Sequence, residues 1–201
     1  MFGLTKEELL VLKKLNTPRK VQDFLNKISI NFEEDGDTCL SPRCVLRERR
    51  AHCVEGAMLA ALALRVHGQR PLVLDLSATK EDQDHVVALF KKKGCWGAIS
   101  KTNHAMLRYR EPVYRTIREL VMSYFHEYFL DSGKKTLRRY SLPVDLARFD
   151  KLNWMTNEQE VWFVPEYLVG ARHYKVVSKK QARRLRKADP LEVDAGKLVE
   201  W

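Results

Sequence analysis

The chain has 201 residues and a formal charge of +10, with 45% apolar and 31% charged residues. That composition is globular; it excludes global disorder and fibrous repeats, and it leaves enough chain for one domain with an appendage. No apolar run reaches the roughly 20 residues of a membrane helix, and the N-terminal MFGLTKEELL is charged and amphipathic rather than a signal peptide, so a soluble cytoplasmic protein is expected.

In chain order, Thr5 is placed to cap a first helix carrying Leu9, Leu10, Leu12 and Leu15. Pro18 ends or restarts it, and Val21, Phe24, Leu25 and Ile28 form a second apolar stripe. A polar loop follows from Asn31 to Arg43. Cys53 to His67 is rich in Ala and Leu and stops at Gly68, the pattern of a buried helix with a glycine past its end. The period then changes. Pro71–Ala78, His85–Phe90 and Cys95–Ser100 read as strands, with KKKG as the turn before Cys95, and Leu107–Arg110 adds one more. Val113–Tyr128 reads as helix. Beyond it come a strand near Leu142, a helix over Asn157–Leu168 and the run SKKQARRLRK. Helices, one central helix, an antiparallel meander and further helices make an α+β fold rather than alternating βαβ units. The expected division is a core over 1–130 and a basic α/β extension over 131–201 packed on it.

Four cysteines, Cys39, Cys44, Cys53 and Cys95, contain no CxxC pair, so free thiols are expected. Cys53 stands where the buried helix begins, and a helix N-terminus favours a thiolate. Nucleophilic cysteine chemistry needs an imidazole from another element, and His85 at the head of a strand fits. If KKKG turns the chain so that Phe90 meets Cys95, His85 lies opposite Ser100, whose side chain could then orient the ring. A slip of one residue would move Ser100 to the other face.

The segment HCVEGAMLAALALRVHGQRPLVLDL resembles the core of the transglutaminase-like superfamily, which has papain-like architecture. The matching features are Cys53 opening a buried helix, the exit Leu64-Arg65-Val66-His67-Gly68, the histidine phrase DHVVALF, and Gly94-Cys95-Trp96 after a turn. The resemblance covers about residues 20 to 110. It implies a helix bearing Cys53 packed on a small antiparallel sheet with flanking helices, and acyl transfer from an amide or peptide through a Cys53 acyl-enzyme to water or an amine. Cys53 is the nucleophile and His85 the base. The family's third residue, usually aspartate, falls on Ser100, a departure; Asn103 is the alternative third member, while strand alternation turns Asp84 away. The oxyanion site is expected at the Cys53 N–H with one further donor.

Trp96 and Glu55 are the candidates for substrate contact, although Glu55 equally fits a complement to the helix dipole in the first turn. Gly56 implies close packing one turn after Cys53. Cys39, Cys44 and His52 lack the spacing of a zinc site, so no metal and no cofactor are expected. Trp201 is expected to dock on the domain. The basic runs RERR, KKK, KKTLRR and SKKQARRLRK come without interleaved stacking aromatics, which argues against nucleic acid. The net charge favours acidic partners, so the peptide or protein amide substrate that the resemblance implies is expected to be of acidic character, and no membrane partner is expected. The alternative is a non-catalytic binding module on the same fold, with a basic surface for an acidic protein or nucleic acid.

Overall fold

In a computed structural model that describes residues 1–34 and 36–199, the chain forms a seven-stranded antiparallel sheet with helices on both faces. The helix α4 (Cys53–Val66) is the centre of the molecule, and every residue from Glu55 to Leu64 is buried. A helix apolar on all sides must be covered on all sides. The sheet covers one flank. The helices α1 (Lys6–Lys14), α2 (Pro18–Asn26) and α3 (Pro42–Glu48) cover the others. Thr5 caps α1 as expected, in a reciprocal capping box with Glu8. Gly68, at φ +81°, receives the chain just beyond α4.

β1 (Ser29–Ile30) and β2 (Arg50–Ala51) form a separate parallel pair; the main sheet, of β3 (Leu72–Ser77), β4 (His85–Lys92), β5 (Cys95–Ser100), β6 (Arg110–Tyr114), β7 (Arg139–Ser141), β8 (Val144–Asp145) and β9 (His173–Lys175), runs β6–β5–β4–β3–β7–β9 with β8 also on β3. Its core is the meander of β3, β4, β5 and β6. Alternation sorts the two faces. Val86, Ala88 and Phe90 of β4 pack on the α4 side, while Val87 and Leu89 pack on α5 (Ile117–Phe125). The hairpin register differs from the expected one by two residues: Lys92, not Phe90, pairs with Cys95. The turn is the two residues Lys93 and Gly94, at φ +49° and +83°, which matches a primed turn between right-twisted strands. Two is the side-chain period of a strand, so the difference leaves every residue on its expected face. His85 is therefore not directly opposite Ser100, which pairs with Val87, but the two share a face as diagonal neighbours.

Other boundaries move. The strand expected over Leu107–Arg110 is β6, starting at Arg110, and Val113 and Tyr114 belong to it rather than to a helix; α5 starts after the Thr116 cap. The expected helix over Asn157–Leu168 is α6 (Phe163–Gly170), and α3 lies in a stretch with no clear apolar period. After residue 130, β7 (Arg139–Ser141), β8 (Val144–Asp145) and β9 (His173–Lys175) extend the same sheet. Two polar contacts tie that segment to the core, the first partly exposed and the second buried. Arg65, near the C-terminal end of α4, makes a two-pronged ion pair with Asp150 at 2.6 Å. Asp75 of β3 meets His173 Nε2 at 2.8 Å, with His173 Nδ1 2.7 Å from the Ala171 carbonyl. Burial raises Asp75 to about 6, although the hydrogen bond to His173 opposes that. Among the described residues no helix is long and apolar enough to cross a membrane. The expected docking of Trp201 lies outside the described residues.

Candidate functional site

The position of Cys53 follows from how closely α4 crosses β5. A Cβ on Gly56 would stand 2.3 Å from the Lys101 Cβ and 2.9 Å from its Cγ, so only glycine lets the helix lie this near the strand. Gly56 is one turn past Cys53, and Lys101 follows Ser100. The close crossing thus draws the first turn of α4 toward the ends of β4 and β5, where His85 and Ser100 sit. Lys101 holds the crossing by donating to the Leu25 carbonyl at 3.0 Å and to that of Ile28, at the C-terminal end of α2.

His85 and Ser100 are both buried, and His85 Nε2 is 2.8 Å from Ser100 Oγ. Ser100 Oγ lies 2.8 Å from the Leu107 carbonyl, which can only accept. The one hydroxyl proton is therefore committed to Leu107, so Ser100 accepts from Nε2–H. That fixes the ring and leaves Nδ1 as its remaining nitrogen, and His85 is among the groups that lower the Cys53 thiol. The strand residue is itself clamped. Gln22 of α2 donates to the Ser100 carbonyl at 2.8 Å and accepts from its N–H at 2.9 Å, as a neighbouring strand would. Nothing in the local sequence marks Gln22 for this task; it sits within the polar side of an amphipathic helix, and only the tertiary fold brings it to Ser100.

His52, which immediately precedes Cys53, is the second residue missed by sequence reasoning except as part of a rejected zinc set. It is the N-cap of α4: its Nδ1 accepts from the Val54 N–H at 3.3 Å, and its Nε2 is 3.0 Å from the Thr38 carbonyl. Glu55 is fully buried and does not contact the cleft, so its expected contact with substrate is corrected. Its carboxylate accepts from the His52 N–H (2.9 Å), the Leu40 N–H (2.8 Å) and the Thr38 hydroxyl (2.9 Å), and Asn31 Nδ2 is 3.2 Å away. The signal for this was the helix-start pattern, with Glu three residues after the cap. Trp96 is also corrected. It pairs with Lys91 beside the hairpin turn, with the Lys91 ammonium 5.0 Å from its ring, and it does not line the cleft. Four residues of strand, roughly 13 Å, separate it from Ser100. Asn103 is on the cleft wall, but among the described residues no hydrogen bond joins it to His85; Ser100 holds that place. Asp84 accepts from the Ala78 N–H at 2.7 Å.

Burial alone would raise the Cys53 thiol, yet the hydrogen bonds from His52 and His85 outweigh it and bring the pKa down to about 5. Burial likewise opposes charge on His52, but its contacts with Cys53 and Glu55 overcome this and raise it to about 11. Cys39 is the contrast: sealed in the core and near Glu55, it is pushed up to about 12. Cys53, His52 and His85 open on a cleft of about 700 Å³. Among the described residues no cluster of candidate metal ligands occurs. Alkylation by iodoacetamide is expected to single out Cys53. At pH 6 a thiol of pKa 5 is about 900-fold more ionised than one of pKa 9, and its weaker intrinsic nucleophilicity takes back about 60-fold of that, leaving about 15-fold. Peptide mapping by mass spectrometry at pH 6 checks this, with Cys39 expected to stay unmodified in the folded protein.

No protein-family model matches this chain, and comparison with the curated proteins finds no match.

Proposed function

We propose that this protein is a cysteine enzyme of transglutaminase-like, papain-like architecture that forms an acyl-enzyme from an amide or peptide. The observation that carries the reading is the relay His85–Ser100–Leu107 carbonyl beside Cys53, in which the second hydrogen bond sets the direction of the first. Cys53 Sγ attacks the carbonyl carbon, and the developing oxyanion falls near the first N–H groups of α4, which have no carbonyl partner within the helix. Water or an amine then attacks the thioester, with His85 Nδ1 taking its proton. Ser100 orients the imidazole as a carboxylate would but adds no charge to stabilise imidazolium.

The cleft itself favours a cationic substrate over the acidic one expected from net charge. Glu33, Asp82, Asp84 and Asp131 line it, and the ammonium of Lys101 is directed to the α2 carbonyls. The apolar side chains of Phe32, Leu107 and Leu130 stand beside these carboxylates and suit the stem of a lysine or arginine. The binding-module reading weakens on the same grounds. Its basic runs are dispersed and partly consumed: Arg47 pairs with Glu158, Arg50 with Glu48, Arg49 lies over Phe24, and Lys91 lies over Trp96.

The test is acid-quenched intact mass spectrometry with peptide thioesters that differ only in carrying Lys or Glu beside the acyl group. The expected result is one acyl adduct on Cys53, formed at least about tenfold faster with Lys, absent in Cys53→Ala, and cleared about 10²-fold more slowly in His85→Ala. An adduct on Cys53 that clears equally fast in His85→Ala would overturn the enzyme reading.

A further inference from the structure

The first turn of α4 carries a second imidazole–carboxylate unit that the relay through Ser100 does not use. His52 Nε2 is 3.3 Å from Glu55 Oε1 and 3.0 Å from the Thr38 carbonyl, so both of its neighbours there accept. Nε2 therefore carries a proton. Nδ1 has two alternatives. As a lone pair it accepts from the Val54 N–H, a long contact of 3.3 Å; as N–H it would be free to donate toward the adjoining Cys53 side chain. The charges facing His52 decide between them. Glu55 and Cys53 adjoin the ring, and Glu33 stands 3.7 Å from Nε2; all three are anionic or become so, and among the described residues no lysine or arginine pairs with any of them. Cys53 in turn faces His52 and His85, with Asp75 and Tyr128 farther off.

We infer that His52 is a second catalytic histidine, held as imidazolium by the positioning residue Glu55, and that it supplies beside Cys53 the carboxylate-backed cation that Ser100 cannot give to His85. This rests on the acyl-enzyme reading and divides the acid–base work within it. In the resting site Cys53 is thiolate and His52 carries its proton. As the C–S bond forms, the carbonyl electron pair moves to oxygen; as the intermediate collapses, the C–N bond breaks and the His52 Nδ1 proton passes to the leaving amine. His85, oriented by Ser100, then takes a proton through Nδ1 from water as that oxygen attacks the thioester. The thiolate leaves, and the proton on His85 returns through solvent to His52. One water is consumed, and an acid and an amine are released. Two imidazoles placed in unlike surroundings are a recognised way of running an acid and a base at one pH.

The test is the pH profile of Cys53 alkylation in the full chain. His52→Asn keeps a side-chain oxygen able to cap α4 and removes the imidazole; Glu55→Gln keeps the shape and removes the charge. Both are expected to raise the midpoint, His52→Asn by more than about one pH unit and Glu55→Gln by less. A capping role alone would leave the midpoint where it is. If His52→Asn leaves it unchanged while His85→Ala raises it, His52 is only a cap and the acyl-enzyme reading stands without it. If the wild-type midpoint itself lies near 8.5 and neither variant moves it, both fail. Should the variants not fold, long-range ¹H–¹⁵N spectra of the wild type decide. His52 is expected to hold both ring protons up to pH 9, and loss of one near pH 6.5 overturns the proposal.

Discussion

Gly56→Ala is expected to destabilise the protein and to disable the thiol together. In an ordinary helix interior the same change stabilises by about 1 kcal/mol, because alanine loses less backbone freedom on folding. Here the new methyl would meet the Lys101 Cβ and Cγ at 2.3 and 2.9 Å. Those atoms cannot swing aside, since the Lys101 ammonium is fixed to the carbonyls of Leu25 and Ile28. The helix and strand must part, at an overpacking cost of about 1–3 kcal/mol that exceeds the propensity gain. The separation falls one turn from Cys53, so its alkylation midpoint is expected to rise from about 5 toward the ordinary thiol range. Gly68→Ala is the control. A Cβ there meets nothing, but the residue is at φ +81°, so it is expected to cost about 1 kcal/mol through backbone strain and to leave the Cys53 profile untouched. Urea melts of the two variants, read beside their alkylation profiles, separate the effects. A Gly56→Ala protein with wild-type midpoint and stability would show that the crossing does not position the thiol.

Much of this site was legible because its parts obey local rules. The buried helix announces itself through Ala and Leu from Cys53 onward and Gly68 beyond its end, and its observed range differs from the expected one by a single residue. His85 and Ser100 share a face even though the turn is two residues shorter than KKKG, because strand faces repeat every two residues. The parts that were not legible depend on distant chain. Gln22 reaches Ser100 across 78 positions, and no periodicity in α2 distinguishes it from other polar residues of that helix. Val113 and Tyr114 have strand propensity as well as a place in a helical pattern; pairing with β5 settles the contest. Net charge points to an acidic substrate and the cleft lining to a cationic one, since an integral over the surface carries no information about which residues line one cleft. Glu55 was visible as the third residue after a helix cap, but a capping residue is ordinarily exposed, and its burial comes from the loop Asn31–Leu40 folding over it.

That burial makes Glu55 the residue whose loss should cost most. Glu55→Ala would strip an acceptor from the His52 and Leu40 N–H groups and from the Thr38 hydroxyl, and would leave His52 without its counter-charge. Breaking a buried, hydrogen-bonded charge pair in this way costs about 3–5 kcal/mol. Glu55→Gln keeps one acceptor oxygen and is expected to cost less. The wild type should show the same interaction through pH. Burial raises the Glu55 pKa, but the hydrogen bond and charge of His52, with the Leu40 and His52 N–H groups, outweigh it and hold the group at about 2 against an ordinary 4.5. A carboxylate depressed on folding binds fewer protons in the native than in the unfolded state. Its stabilisation is therefore complete above pH 4.5 and is lost as pH falls through about 2. A shift of that size corresponds to about 3 kcal/mol. The unfolding free energy of the wild type should fall between pH 5 and pH 2 more steeply than that of Glu55→Gln, in which this group no longer titrates. His52 makes the opposite contribution at the other end of the range: its raised pKa stabilises the fold below about 6.5, and that stabilisation fades as pH rises toward 11. Parallel acid slopes for wild type and Glu55→Gln would mean that the Glu55 pKa is the same folded and unfolded, and with it the strongly paired first turn of α4 would fail.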